Sequence, residues 1–213
     1  MTSGESERTR DAERTREAIL AAAENRFARL GFDRTSLQEI GEAAGVARST
    51  PAYFFGSKEA LYEAVLARVI TRAQEAMANA YAGGGSVESP EDAVVSYASA
   101  FIDFLDGDRN FLRLIQREAL GDGSRVAKFF ASSVDEGVAA FRSVAERAGV
   151  TPQRLILDVT ALCWYPFAHE HTVLPALGMN ARDARFLDEQ KRHVGDVVRA
   201  IVRQGTSAAD AAT

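Results

Sequence analysis

A chain with a single cysteine, Cys163, can close no disulfide within itself, so a buried core must hold its fold. That usage also suits a reducing compartment. Prolines number only 5 and glycines 16 in 213 residues, leaving long stretches free of helix breakers. No apolar signal-peptide core occurs between Met1 and Arg16, and no apolar run reaches membrane-spanning length. The expectation is a cytoplasmic protein with no membrane partner. Alternating β-branched runs are missing as well, which argues against a sheet. Excess positive charge is absent too: the formal net charge is -5 and the pI about 5.3. Such a balance argues against indiscriminate coating of nucleic acid. Even residues 1–80 carry 11 basic against 12 acidic side chains, so any local affinity for phosphate depends on where the charges point.

What the chain does contain is helix-forming sequence. It is 46% hydrophobic and 26% charged, and its apolar residues recur at three- and four-residue spacings. An all-α protein is predicted. Residues 1–10 read as an arm without fixed structure. A helix is predicted from Asp11 to Leu30, with Ile19, Ala23, Phe27 and Leu30 on one face and Gly31 as its stop. Ser36-Leu37-Gln38-Glu39 has the form of a capping box opening a short helix, and Gly45 permits a sharp turn after it. A second short helix is predicted over Ala47–Phe54, with Pro51 tolerable near its start. Ser57 caps the next helix, which runs to about Tyr81. Gly83-Gly84-Gly85-Ser86 marks the expected domain boundary, dividing residues 11–81 from 82–213.

Beyond that boundary, Ser89-Pro90 and Thr151-Pro152 are cap-plus-proline starts. Helices are predicted from Pro90 to about Asp106, from Arg109 to Leu120 and from Ser124 to Ala148. Two more are predicted, from Pro152 to about Tyr165, where Pro166 should break or kink it, and from Asp183 to Gln204.

Two short helices joined by a glycine turn form a helix-turn-helix pattern, whose second helix enters the DNA major groove. The residues so presented are Arg48, Ser49 and Thr50. Arg48 can offer paired donors to a guanine edge or hold a phosphate. Thr35 and Ser36 open the preceding helix, where hydroxyls and free N–H groups suit a phosphate oxygen. Lys58 and the Tyr53 hydroxyl are further phosphate candidates.

The order Thr35-Ser36-Leu37-Gln38-Glu39-Ile40, Ala43-Ala44-Gly45-Val46, Ser49-Thr50, Tyr53-Phe54-Phe55 and Ser57-Lys58-Glu59-Ala60-Leu61 resembles the DNA-binding domain of the TetR (tetracycline-repressor-like) family. Ala52 stands where many members carry a phosphate-binding tyrosine, and Ala47 where many carry a capping serine. The resemblance implies a three-helix DNA-binding domain followed by a helical domain for ligand binding and dimerisation. It further implies a homodimer on a palindromic double-stranded operator, released by a small-molecule effector, with dimer contacts on the last two long helices. The spacing of Leu187, Val194 and Ile201 suits that contact and equally suits an internal core helix.

Phe101, Phe104, Phe111, Phe130, Trp164, Phe167 and His169 are the candidates for the effector pocket, because such pockets are mostly apolar with a few polar groups. His169-Glu170-His171 lacks the spacing of a metal site, and no metal or cofactor is expected. Neither a G-x-S-x-G elbow, a phosphate-binding glycine loop nor an H-E-x-x-H motif occurs, so no enzyme activity is expected. The competing readings are an enzyme in the C-terminal helical domain and an architectural DNA-binding protein.

Overall fold

The computed structural model describes residues 3–83, 89–131 and 134–211. Every regular element among them is a helix: α1 (Ser3–Leu30), α2 (Leu37–Ala43), α3 (Thr50–Phe55), α4 (Lys58–Gly83), α5 (Pro90–Gly107), α6 (Arg109–Ala119), α7 (Ser124–Ala131), α8 (Val134–Ala148), α9 (Pro152–Ala168), α10 (Val173–Ala176) and α11 (Ala184–Ala211). Two compact units result. Unit 1 comprises residues 1–71 and 113–127; unit 2 comprises 72–112 and 128–213.

Unit 1 is built on α1, whose Ile19, Ala23 and Phe27 are fully buried. Ile40 of α2 and Leu61, Val65 and Leu66 of α4 are fully buried in the same unit, giving a small apolar core. Phe27 packs edge-on against Tyr62 at 4.8 Å, and Phe32 lies 5.0 Å from the same ring. Leu114 and Val126, from the later part of the chain, are buried in this unit too. Two polar links secure that later segment. Tyr62 donates its hydroxyl proton to Glu118 Oε1 at 2.8 Å, and Arg117 donates to the carbonyls of Ala28 and Arg29 at 3.2 and 3.0 Å. The last carbonyls of α1 thus receive a cation, as the negative end of a helix favours.

In unit 2, α5, α8, α9 and α11 pack on one another. Val94, Ala98, Ile102, Phe141, Val159, Cys163, Val194 and Val198 form its interior. At Gly195 the helices α11 and α5 come close, since a Cβ there would lie 3.3 Å from Val95. The heptad-spaced face of α11 therefore turns Val194 and Val198 into the unit's own core, with Leu187 and Ile201 half-buried beside them.

Several expectations are corrected. Residues 3–10 continue α1 instead of forming an unstructured arm. A helix already nucleated by packing extends readily through residues that lack prolines, and Arg14 pairs with Asp11 at 3.0 Å along it. The span expected as one helix over Ser124–Ala148 is occupied by α7 and α8, on either side of residues 132–133, which lie outside the described residues. Most of the glycine-rich run likewise falls on residues 84–88, outside the described residues. Pro166 does not end α9, which continues to Ala168. Proline deprives the Leu162 carbonyl of its helical donor, and Gln190 Nε2 supplies one at 2.9 Å. The short α10 was not expected.

Candidate nucleic-acid interface

Helix α2 begins with a complete capping box. Ser36 Oγ accepts from the Glu39 N–H at 3.3 Å, and the Glu39 carboxylate accepts from the Ser36 N–H at 3.0 Å. The Ser36 hydroxyl also donates to Glu39, at 3.0 Å, and Arg26 pairs with that carboxylate at 2.9 Å. These contacts, the Ser36 N–H foremost and its hydroxyl next, hold the Glu39 carboxyl below its ordinary pKa. The corner thus already carries an anion, which any phosphate approaching Ser36 must meet.

Thr35 is turned inward. It is 2% exposed; its hydroxyl donates to the Gly31 carbonyl at 2.8 Å and its N–H to Phe32 at 3.2 Å. Both donors expected to face a phosphate are engaged within the turn, so in this structure Thr35 holds the turn.

The turn after α2 is a Schellman motif. Val46 N–H donates to the Gly41 carbonyl at 3.0 Å and Gly45 N–H to Glu42 at 3.2 Å, with Gly45 at φ +69°. Gly41 permits the close approach of the segment leading into α3. A Cβ there would lie 3.1 Å from the Ala47 carbonyl oxygen and 3.2 Å from Arg48 Cα. A lone glycine inside a helical pattern was the available signal for this contact.

Helix α3 starts at Thr50, not at Ala47 as expected. Arg48 and Ser49 lie in the turn before it, and Pro51 falls within its first turn, buried. A proline there removes no helical hydrogen bond. Arg48 is 70% exposed and forms an ion pair with Glu42 at 2.6 Å. Ser49 sits at the N-cap without a side-chain capping bond, leaving its hydroxyl free of that duty. Tyr53 stands 85% exposed, edge-on to Phe54 at 5.5 Å. Phe55 is covered by the Arg16 guanidinium at 4.3 Å, a contact that sequence reasoning missed.

Lys58 opens α4, an end that repels cations. Its ammonium lies 4.3 Å from the centre of the Phe32 ring and donates to the Asp33 carbonyl at 3.4 Å. Ser57 and Glu59 serve the helix end instead: Ser57 Oγ accepts from the Ala60 N–H at 3.1 Å. The backbone N–H of Glu59 itself, then Ser57, hold the Glu59 carboxyl below its usual pKa. Arg48, Ser49, Thr50 and Tyr53 therefore share one short stretch on the surface of unit 1, and Lys58 stands just beyond it at the start of α4.

Unit 2 divides the candidate pocket residues. Phe104 and Phe111 meet edge-on at 5.0 Å, and Phe111 and Trp164 at 6.0 Å, forming one continuous cluster. Phe167 is buried under the Arg109 guanidinium, 4.8 Å from its ring centre. Phe101 belongs to another group, with Tyr97 at 6.3 Å, and Tyr97 in turn meets Phe141 at 5.3 Å. His169 stacks near Tyr165 at 4.3 Å and contacts Thr172 at 3.3 Å. Phe130 is 41% exposed. Glu170 pairs with Arg109 and His171, each at 3.3 Å, and no group of residues suited to holding a metal ion occurs among the described residues.

Residues 19–65 match the family described as bacterial regulatory proteins, tetR family, and residues 90–198 match the tetracyclin repressor-like C-terminal domain. The chain belongs to the TetR family. A stretch of 63 residues is 44% identical to the HTH-type transcriptional regulator RutR of Escherichia coli K12, over 30% of each chain. The HTH-type transcriptional repressor NicS of Pseudomonas putida is 25% identical over 186 residues, 83% of this chain and 86% of NicS. Among solved structures, a transcriptional regulator from Streptomyces coelicolor superposes with a TM-score of 0.68 at 22% identity, covering 88% of this chain and 97% of its own. The fatty acid degradation regulator FadR from Bacillus halodurans gives 0.62 at 13% identity, covering 84% and 93%. These likenesses establish the fold. Within this TetR-family fold, no described helix is long and apolar enough to cross a membrane.

Proposed function

We propose that this TetR-family regulator is a repressor that binds a palindromic operator as a homodimer and leaves it when a small-molecule effector occupies unit 2. The observation that carries the reading is the exposure of Arg48, Ser49 and Tyr53, with half-buried Thr50 between them, beside a turn whose geometry Gly41 and Gly45 make possible. Ser49, Thr50 and Arg48 are the groups for base edges or adjacent phosphates, and Tyr53 and Lys58 those for the backbone. Arg48 exchanges Glu42 for DNA. Lys58 leaves a carbonyl and an aromatic face for a phosphate. Ser36 contributes only as part of the helix end. The repressor named NicS, similar over most of the chain, supports the sign of regulation.

The dimer contact is assigned to α9 and α11. Leu157 and Tyr165 are 60% and 51% exposed, with Ala161 exposed between them, so three apolar side chains line one face of α9 at four-residue intervals. A second copy of the chain is the occupant that the family supports. The effector is assigned to the Phe104–Phe111–Trp164 cluster, which suits a ligand with an apolar body. Release requires an effector that prefers the conformation unable to span the operator, because equal affinity for both conformations shifts nothing.

The test is binding to the DNA flanking the protein's own gene, over a range of salt, with and without apolar ligands. Site-specific, salt-sensitive binding is expected. Lys58→Ala should weaken binding to all sequences and lower the salt slope by about one, whereas Arg48→Ala should relax preference at particular bases. Absence of any preference over random DNA overturns the reading.

A further inference from the structure

An open depression of about 790 Å³ lies within unit 1, between the last turn of α1 and the later turns of α6. Arg29, Arg113, Gln116 and Arg117 supply its polar lining, and Leu120, 89% exposed, its most prominent apolar one. No carboxylate lines it.

One of these guanidiniums is locked in place. Arg117 Nε and Nη2 hold the carbonyls of Ala28 and Arg29, and a Cβ on Gly31 would come within 3.0 Å of its Nη1. Gly31 is at φ +84°, so the backbone there already favours glycine. Arg113 stands one helical turn before Arg117 and faces the same space.

The charge here is unbalanced in an acidic chain. Elsewhere in unit 1, Arg26, Arg48 and Arg68 each meet a carboxylate: Arg26 meets Glu39 at 2.9 Å, Arg48 meets Glu42 at 2.6 Å and Arg68 meets Glu17 at 2.9 Å. Arg29 and Arg113 have no carboxylate partner among the described residues, and Arg113 is half-buried. Three cations around one space repel each other, and an anion among them removes that repulsion. Guanidinium pairs donate in parallel to phosphate oxygens, and a dianion matches this charge better than a lone carboxylate does.

We propose that Arg29, Arg113 and Arg117 form a binding site for a phosphate group, carried either by a phosphorylated small molecule or by the DNA backbone. The site is separate from the Arg48–Lys58 contacts and does not rest on the repressor reading.

The test uses the full chain and the double variant R29Q/R113Q, leaving Arg117 to cap α1. Each is titrated calorimetrically with inorganic pyrophosphate at constant ionic strength, and each is assayed on the DNA flanking its own gene. Saturable pyrophosphate binding that weakens about tenfold or more in the variant, with DNA affinity unchanged, identifies a phosphorylated small molecule. Loss of DNA affinity with a salt slope lower by about two identifies the DNA backbone. The thermal midpoint of the unliganded variant should be no lower than that of the parent in both cases, because the substitutions relieve the repulsion among the three cations. Pyrophosphate binding equal in parent and variant, or absent in both with DNA affinity unaltered, overturns the proposal. Failure of operator binding in every protein leaves the pyrophosphate result to decide it alone.

Discussion

Gln190 donates to the main-chain carbonyl of Leu162 at 2.9 Å, four residues before Pro166. A side chain from α11 thereby replaces the N–H that proline lacks, and α9 keeps its course through a residue that ordinarily ends a helix. Gln190→Leu should destabilise the protein by about 1–2 kcal/mol, because it leaves a part-buried acceptor unpaired. In a Pro166→Ala background the alanine N–H serves Leu162, so the same change should cost less than half as much. Urea unfolding of the four proteins measures this. Equal costs in the two backgrounds would show that Gln190 does not act through Leu162.

Gly41→Ala sets two effects against each other. Alanine gains about 1 kcal/mol of helix propensity over glycine. Its methyl, however, meets backbone atoms of Ala47 and Arg48 at 3.1 and 3.2 Å, which cannot yield like a side-chain tip. The clash should win, giving a net loss of about 1–2 kcal/mol and weaker DNA binding as α3 is displaced. A higher melting temperature would refute the close packing.

Thr35→Val removes the hydroxyl that donates to Gly31 while keeping the shape of the side chain. The expected cost is about 1 kcal/mol of stability, with DNA affinity unchanged well below the melting temperature. A large fall in affinity, with stability intact, would return Thr35 to the phosphate contacts.

Cys163 gives the fold an alkaline weakness. Burial pushes its thiol from an ordinary value of 9.0 up to about 12. The folded state therefore holds a proton that the unfolded chain has lost, and stability falls as pH rises from about 9 toward 12. Burial, followed by its hydrogen bond to Glu118, raises Tyr62 in the same direction. Cys163→Ala should flatten the decline by about 1 kcal/mol per pH unit, read from urea unfolding at pH 8 to 10. An unchanged slope would mean the thiol is not protonated by burial.

Much of this was legible because local chemistry dictates it. Ser36, Ser57, Ser89 and Thr151 all cap helices where their spacing from the succeeding residues predicts. Gly31 and Gly45 end helices at positive φ as anticipated. The errors arose where distant residues decide. Pro166 reads as a break or a kink until Gln190 is placed beside it, and Thr35 reads as a hydroxyl open to phosphate until Gly31 accepts its proton. The start of α3 slipped by three residues because the Ala47–Ser49 segment obeys the packing against Gly41, not its own helix propensity. The aromatic residues of unit 2 show their helical faces in the sequence but not their ring partners, so the separation of Phe101 from the Phe104–Phe111–Trp164 cluster becomes visible only in the fold.

The buried Tyr62–Glu118 contact and the Arg117 cap also bear on modularity. Residues 113–127 complete the core of the DNA-reading unit, yet they are encoded well beyond its first segment, residues 1–71. A reading head cut at the glycine-rich run would lack part of its own interior. Exchanging heads between related regulators by a single splice would therefore pair Tyr62 with a foreign neighbour. Only grafts that carry both segments together should yield a hybrid with the parent's solidity.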